Sequence, residues 1–245
     1  MTTAIGISEL SELLIKKDSI QLIEPHIYSV LPNTVTDNPY DTKFGYIYDW
    51  VACNPIYNRL IWGYSIDIFA SIAHDALQSS NEGIVLDLGC GSLAFTAKTY
   101  IQQSERPIVL VDQSLKMLKI AKSRLIKING KVSDNIVFLH ADALRLPFID
   151  KCFNTVISEN LLHCLDDTKI LLTGLKNVLI ENGKMYFTTL IKNNRLADRY
   201  LEFLANGGKL VSRNMEDHQK VFNELGMPIN YEINGNLASI YYDDG

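Results

Sequence analysis

The sequence predicts an α/β protein, a doubly wound sheet of seven strands, mostly parallel, finished by a C-terminal antiparallel hairpin. Three observations carry that prediction. Short apolar runs alternate with amphipathic stretches through the middle of the chain, as in a parallel sheet covered on both faces. The first run, Ile84-Val85-Leu86-Asp87-Leu88, opens directly into Gly89-Cys90-Gly91-Ser92, and the second, Ile108 to Val111, ends in Asp112. The last segment, Ile229 to Tyr242, reads as two strands about a tight Asn234-Gly235-Asn236 turn.

Composition is that of a folded globular chain: 245 residues, 47% apolar and 21% charged. One large domain with an embellishment suits that length. The expected division is a helical, aromatic-rich cap over 1–80 and a sheet domain over 81–245, with a helical insertion at 193–225. A formal charge of -5 without a basic block disfavours nucleic acid as the main partner. Cys53, Cys90, Cys152 and Cys164 are scattered, with no Cys-x-x-Cys and no histidine at metal spacing. That pattern predicts a reduced, cytoplasmic setting and no metal site. No apolar run reaches the roughly 18 residues of a membrane span.

In chain order, Ile5, Ile7, Leu10, Leu13 and Leu14 predict a short helix, and Pro25, Pro32 and Pro39 mark irregular chain after it. Nine aromatics follow between Tyr40 and Phe69. They either pack an extension onto the sheet or line a pocket, since Tyr and Trp join apolar area to a hydrogen-bonding tip. A helix is predicted over 65–79, strand one at 84–88, a helix over 92–103, and strand two at 108–111. Ser114 caps a helix over 115–128 that Asn129-Gly130 stops. Strands three and four are read at 136–139 and 155–158, a helix at 167–180, a turn at 181–183 and strand five at 184–190. Amphipathic helices at 193–206 and 214–225 then precede the hairpin.

The two glycines and the acid ending strand two form the layout of a Rossmann-like nucleotide site. Glycines let the backbone approach the ligand, and the carboxylate takes ribose hydroxyls. An ordinary turn is the alternative for the glycines taken alone. An NAD-dependent dehydrogenase is disfavoured by the hairpin and by the motif after strand three.

Four motifs, in order and spacing, make residues 40–190 resemble the class I S-adenosylmethionine-dependent methyltransferases, in particular the small-molecule group with the ubiquinone/menaquinone C-methyltransferases. They are Val85-Leu86-Asp87-Leu88-Gly89-Cys90-Gly91; Val111-Asp112-Gln113-Ser114 with Met117-Leu118; Ala141-Asp142-Ala143 with Leu146-Pro147-Phe148; and Ser158-Glu159-Asn160-Leu161-Leu162-His163. Tyr48-Asp49 and Asn54 to Arg59 resemble the segment that closes over the cofactor in that family.

The resemblance implies that Gly89 and Gly91 lie under the amino-acid end of S-adenosyl-L-methionine, with Asp87 holding the loop or the ammonium. It implies that Asp112, with Gln113 beside it, receives the ribose, that Met117 lies against adenine or fills core, and that Asp142 and Ala143 meet the adenine amino group. Ser158 and Asn160 would face the methionine part. Tyr40, Tyr57, Trp62 and Tyr200 are the candidate acceptor walls. His163 and Tyr48 are the catalytic candidates, with Glu159 and His140 as further titratable groups at the strand ends. The family usually has a third glycine where this chain has Leu93, a change expected to alter packing without abolishing binding. Cys164 stands where relatives often carry a second histidine.

The implied function is methyl transfer from S-adenosyl-L-methionine to a neutral, aromatic or apolar small molecule at O, N or C. The alternative is a cofactor-binding protein of the same fold with other chemistry or a scaffold role. The insertion is expected to act as a lid, a homodimer surface or a substrate wall.

Overall fold

The computed structural model describes residues 4–31, 54–79, 82–103 and 105–245. In chain order the elements are helix α1 (Ile7–Glu12), strands β1 (Gln21–Glu24) and β2 (Ile27–Ser29), and the short helix α2 (Pro55–Tyr57), which runs into a π-helical turn at Asn58–Trp62. Then come α3 (Asp67–Gln78), β3 (Val85–Leu88), α4 (Ala97–Gln103), β4 (Ile108–Asp112), α5 (Leu115–Asn129), β5 (Ile136–His140) and β6 (Phe153–Glu159). The chain finishes with α6 (Thr168–Val178), β7 (Leu179–Leu190), α7 (Ala197–Asn206), α8 (Met215–Glu224), β8 (Ile229–Asn234) and β9 (Leu237–Asp243).

All nine strands belong to one sheet, in the order β1-β2-β5-β4-β3-β6-β7-β9-β8. Strands β3 to β7 pair in parallel, and β9 runs antiparallel to both β7 and β8. The predicted parallel centre and closing hairpin are therefore present. The seven-strand expectation falls short by β1 and β2, which extend the sheet at its β5 edge, where irregular chain was expected. Strand β2 runs parallel to β5 with Ile27 opposite Phe138, and Ile27 is fully buried. Runs of four and three residues around Pro25 are too short to show a period of two, and His26 turns the chain with φ 68. The predicted turn at 181–183 lies inside β7, which starts at Leu179 and passes through Asn182 at φ 61.

Side chains alternate along the central strands, and this builds one core on each face of the sheet. Leu86, Leu88, Val109 and Val111 join one cluster, while Val85, Ile108, Leu110 and Ile157 join the other. Fully burying a side chain such as Phe138 or Leu86 contributes about 1.5–3 kcal/mol. Helix α5 presents Leu118, Ala121 and Leu125 to the second cluster; the Ser114 side chain accepts the Met117 N–H at 3.2 Å, and Gly130 closes the helix at φ 78. Ser114→Ala would remove that cap, at about 1 kcal/mol.

Arg106 enters the base of the sheet, buried, donating to the Gly83 carbonyl at 3.1 Å, the Leu77 carbonyl at 3.3 Å and Thr155 Oγ1 at 2.9 Å. It thereby fixes the end of α3 and the entry to β3 against β6. Among the described residues no helix is long and apolar enough to cross a membrane.

Candidate active site

The site lies beyond the carboxyl ends of β3, β4 and β6, where ligands sit in open parallel sheets. At the end of β3 the chain turns through two left-handed glycines, Gly89 at φ 76 and Gly91 at φ 53. The Gly89 and Cys90 N–H groups donate to the Val111 carbonyl at 2.8 and 3.0 Å, which pins the turn against β4. The Gly91 N–H donates to Asp112 Oδ2 at 2.9 Å, and the Ser114 N–H donates to Asp112 Oδ1 at 2.7 Å. One carboxylate thus joins the glycine loop to the first turn of α5. A Cβ at Gly91 would meet nothing within 4 Å, so the absent side chain leaves open space on the strand-end side.

Leu93, in place of the third glycine, keeps the left-handed backbone at φ 53 and buries its side chain with Ala97 and Tyr100. A left-handed leucine costs on the order of 1 kcal/mol or more, which its buried contacts offset.

Beneath the loop, Asp87 is buried and accepts the Tyr100 hydroxyl at 2.7 Å. Burial raises its pKa to about 7; the Tyr100 bond pulls it down and the charge of Asp112 pushes it up. Burial, followed by the neighbouring Asp87, lifts Glu159 well above the usual carboxylate range. Ser158 and Glu159 finish β6, and Asn160 follows it. Ser158 is fully buried, and its hydroxyl donates to the Leu88 carbonyl at 2.9 Å, so it ties β6 to β3 under the loop. Asn160 is left-handed at φ 56, and its N–H is held by the Thr188 carbonyl at 2.9 Å and Thr188 Oγ1 at 3.0 Å. Two buried oxygens here, Glu159 Oε1 and Asn160 Oδ1, accept no hydrogen bond.

On the other side, Met117 is buried in the first turn of α5. Gln113 is exposed, and its backbone carbonyl lies 3.0 Å from His140 Nε2. His140 Nδ1 lies 2.9 Å from Ser29 Oγ, so this histidine fastens β2 and β5 to the β4 loop. Asp142 and Ala143 are half-buried; Asp142 Oδ1 accepts the Leu144 N–H at 2.9 Å and shapes the loop after β5.

His163 departs from its expected role. Its ring is buried, and Nδ1 accepts the Leu190 N–H at 3.1 Å with Thr189 Oγ1 at 3.3 Å. Burial, then His218 and Arg213, lower its pKa to about 3. A ring whose basic nitrogen already holds a backbone N–H fits a satisfied structural histidine better than a base. The other catalytic candidate, Tyr48, lies outside the described residues, as do Tyr40, Asp49 and Cys53.

Of the acceptor candidates, Tyr57, Trp62 and Tyr200 come together. Trp62 and Tyr200 have ring centroids 5.5 Å apart, and burial with the Tyr200 hydroxyl beside it pushes the Tyr57 phenol up. Trp62 and Tyr57 belong to a cluster with Tyr64, Phe69, Leu201 and Leu237, while Tyr200 is exposed at its edge; Phe69 stacks on Phe95 at 4.7 Å. Phe95 lies four residues beyond Gly91 along the chain, so the cluster takes in a residue of the segment that follows the glycine loop. Tyr100 and Phe95 escaped the sequence reading. The spacing of Leu93, Ala97 and Tyr100 carried the signal for Tyr100: one helical face aimed at β3.

The glycine loop, the ribose-type acid, the orphaned acceptors and the strand order define a class. Residues 79–230, more than half of the chain, match the methyltransferase domain family, and the chain belongs to it, as a class I S-adenosylmethionine-dependent methyltransferase. It is similar to the ubiquinone/menaquinone biosynthesis C-methyltransferase UbiE of Pseudomonas syringae pv. tomato, with 29% identity over 168 residues, covering 66% of this chain and 64% of that protein. The chain thus spans just under two thirds of that relative's length. The enzyme of the same name from Vibrio cholerae is 24% identical over 221 residues, covering 81% of this chain and 84% of its own. In fold it resembles the Haemonchus contortus phosphoethanolamine N-methyltransferase 2 in complex with S-adenosyl-L-methionine, with TM-score 0.62, 21% identity, and coverage of 82% of this chain and 47% of that one. It also resembles the geranyl diphosphate C-methyltransferase of Streptomyces coelicolor A3(2), with TM-score 0.56, 9% identity, and coverage of 71% and 76%.

The residues present fit the family's methyl donor. Gly91 leaves room for a ligand against the backbone, and Glu159 Oε1 and Asn160 Oδ1 are acceptors lacking a donor such as an ammonium.

Proposed function

We propose that this protein transfers a methyl group from S-adenosyl-L-methionine to a small neutral molecule of aromatic or apolar character. The observation that carries this reading is the strand-end site, where Asp112 accepts the Gly91 N–H and the Glu159 and Asn160 acceptors are unpartnered. The aromatic cluster of Tyr57 and Trp62 supports it and includes Phe95 from the segment after the glycine loop. In this reading the donor brings an activated methyl group on a sulfonium, and the chain's own residues position and desolvate. Asp112 receives the ribose hydroxyls while keeping the loop attached to α5. Gly89 and Gly91 give backbone approach, Asp142 and Ala143 border the adenine, and Met117 packs against it. Asn160 faces the amino-acid half, and Ser158 sets the height of β6 below the loop. Trp62 and Tyr200 hold the acceptor by ring contact. Tyr57, with its phenol pushed up, stays protonated and serves as a hydrogen-bond donor.

The reading extends to a cytoplasmic enzyme, homodimeric through its helical insertion. The relatives bearing the name UbiE suggest a quinone-precursor ring as the first acceptor to try, with carbon as the methylated atom. The test is a radiolabelled-methyl screen against a metabolite extract, hydroxylated aromatic rings and total RNA. Label in an aromatic or apolar metabolite is the expected result. Label in RNA alone would refute the acceptor class, and binding of the donor without transfer to anything would favour the scaffold alternative.

A further inference from the structure

We propose that Glu159 is a second anionic ligand for the donor's α-ammonium group, so that Glu159 and Asn160 read the amino-acid half of the donor while Asp112 reads the nucleoside half. This rests on the reading of the strand ends as a methyl-donor site and adds a residue to it.

The placement follows from sheet register. Asp87 of β3 is paired with Ile157 of β6 in parallel, so the two side chains share one face. Glu159 lies two residues beyond Ile157 and points to that same face, beyond the end of β3, where the Gly89–Gly91 turn leaves the sheet. Asp87 is the acid that the motif suggests for the ammonium, yet its Oδ2 already accepts the Tyr100 hydroxyl at 2.7 Å. Glu159 is different: its Oε1 is buried and accepts nothing. The next side chain, Asn160, repeats the feature with a buried and unpartnered Oδ1, on a backbone fixed at φ 56 by Thr188. Two consecutive orphaned acceptors at one strand end call for a multi-proton donor, because a buried acceptor left unsatisfied is costly. An ammonium supplies three N–H groups and a positive charge; a hydroxyl or water supplies no charge to set against two neighbouring carboxylates. Burial and then Asp87 push the Glu159 carboxyl well above its usual range, and an arriving ammonium favours its ionised form.

The experiment pairs two ligands with two variants in calorimetric titrations. S-adenosyl-L-homocysteine carries the amino-acid half, and 5′-methylthioadenosine lacks it. Glu159→Gln should weaken S-adenosyl-L-homocysteine about 10- to 100-fold, the worth of a hydrogen bond to a charged group, and leave 5′-methylthioadenosine within about twofold. Glu159→Gln removes the ionisable carboxyl at nearly constant shape, and a thermal melt checks that it folds. If it does not, Glu159→Asp keeps the charge but shortens the reach, and should again weaken S-adenosyl-L-homocysteine selectively. Equal losses on both ligands would make Glu159 a merely structural residue and overturn the proposal, as would an unchanged affinity for S-adenosyl-L-homocysteine. A wild-type protein that binds neither ligand overturns the donor reading itself, and this inference with it.

Discussion

Asp112→Ala is the sharpest test of the nucleoside half of the site. In the free protein this carboxylate accepts the Gly91 N–H at 2.9 Å and the Ser114 N–H at 2.7 Å. Charge-assisted bonds to a carboxylate are worth about 1.5–3 kcal/mol each, less where water can replace the lost partner. Asp112 is half-buried, so its removal should cost about 2–4 kcal/mol of stability. For a chain of 245 residues, that lowers the melting temperature by roughly 4–16 °C. Loss of the ribose acceptor should weaken S-adenosyl-L-homocysteine by about 2–4 kcal/mol, roughly 30- to 1,000-fold. Loosening of the loop would weaken any ligand, so the discriminating assay compares adenosine with 2′,3′-dideoxyadenosine by calorimetry. The wild type should prefer the ribose, and Asp112→Ala should lose that preference. A variant that still discriminates between the two nucleosides would refute the role of Asp112, however unstable it is.

Three further outcomes follow from the surroundings of the site. His163→Asn offers an amide oxygen to the Leu190 N–H, and should keep kcat and its pH profile within a few-fold while lowering stability. Loss of an acidic limb near neutrality, where the wild-type kcat falls as pH drops, would restore His163 as a base. Asp87 has a folded pKa of about 7 against an ordinary 3.8. Between those values the native state keeps a proton that the unfolded chain has lost. Its contribution is therefore fully present below about pH 4 and fades as pH rises through 7. Asp87→Asn should gain stability relative to wild type on going from pH 4 to pH 8 in urea titrations, and a constant difference would contradict the assignment. Arg106→Ala removes three buried bonds at the entry to β3 and should cost about 3 kcal/mol or more, read as a lower urea midpoint; a midpoint within experimental error of wild type would exclude this role.

The centre of the fold was legible because it is encoded locally. Apolar runs such as Ile108 to Val111 are buried on both faces, and Ser114 and Gly130 mark helix ends by capping chemistry that needs no tertiary context. β1 and β2 were not legible, since three residues such as Ile27 to Ser29 become a strand only when β5 offers a parallel edge. The glycines and Asp112 could be read from spacing. Their linkage, one carboxylate bridging Gly91 and Ser114, is a geometric fact with no signature in the chain order. The surroundings of His163 were hidden for a related reason: its neighbours Leu190, His218 and Arg213 come from distant segments that the sequence does not bring together. Tyr57, Trp62 and Tyr200 lie far apart in the chain, and only the fold brings Trp62 against Tyr200 and Phe95 into the same cluster as Trp62.

The aromatic cluster has a further support, the tip of the terminal hairpin. Gly235 turns between β8 and β9 at φ 61, and a Cβ there would stand 2.1 Å from the Trp62 carbonyl and 2.7 Å from the Gly63 carbonyl carbon. The next residue, Asn236, donates its N–H to that same Trp62 carbonyl at 2.8 Å, while Asn193 ahead of α7 donates to the Gly235 carbonyl at 2.8 Å. The hairpin tip therefore clamps the π-turn that carries Trp62 and the approach to the helix that carries Tyr200. No flexible side chain lies in the way of an added methyl group; both obstacles are backbone, so the turn must move. Gly235→Ala should lower the melting temperature, raise KM for the acceptor several-fold, and leave S-adenosyl-L-homocysteine affinity within about twofold, because the glycine loop sits on β3 and β4, away from the hairpin. A raised KM for the donor with an unchanged KM for the acceptor would place the aromatic cluster outside the acceptor path and would require the substrate wall to be sought elsewhere.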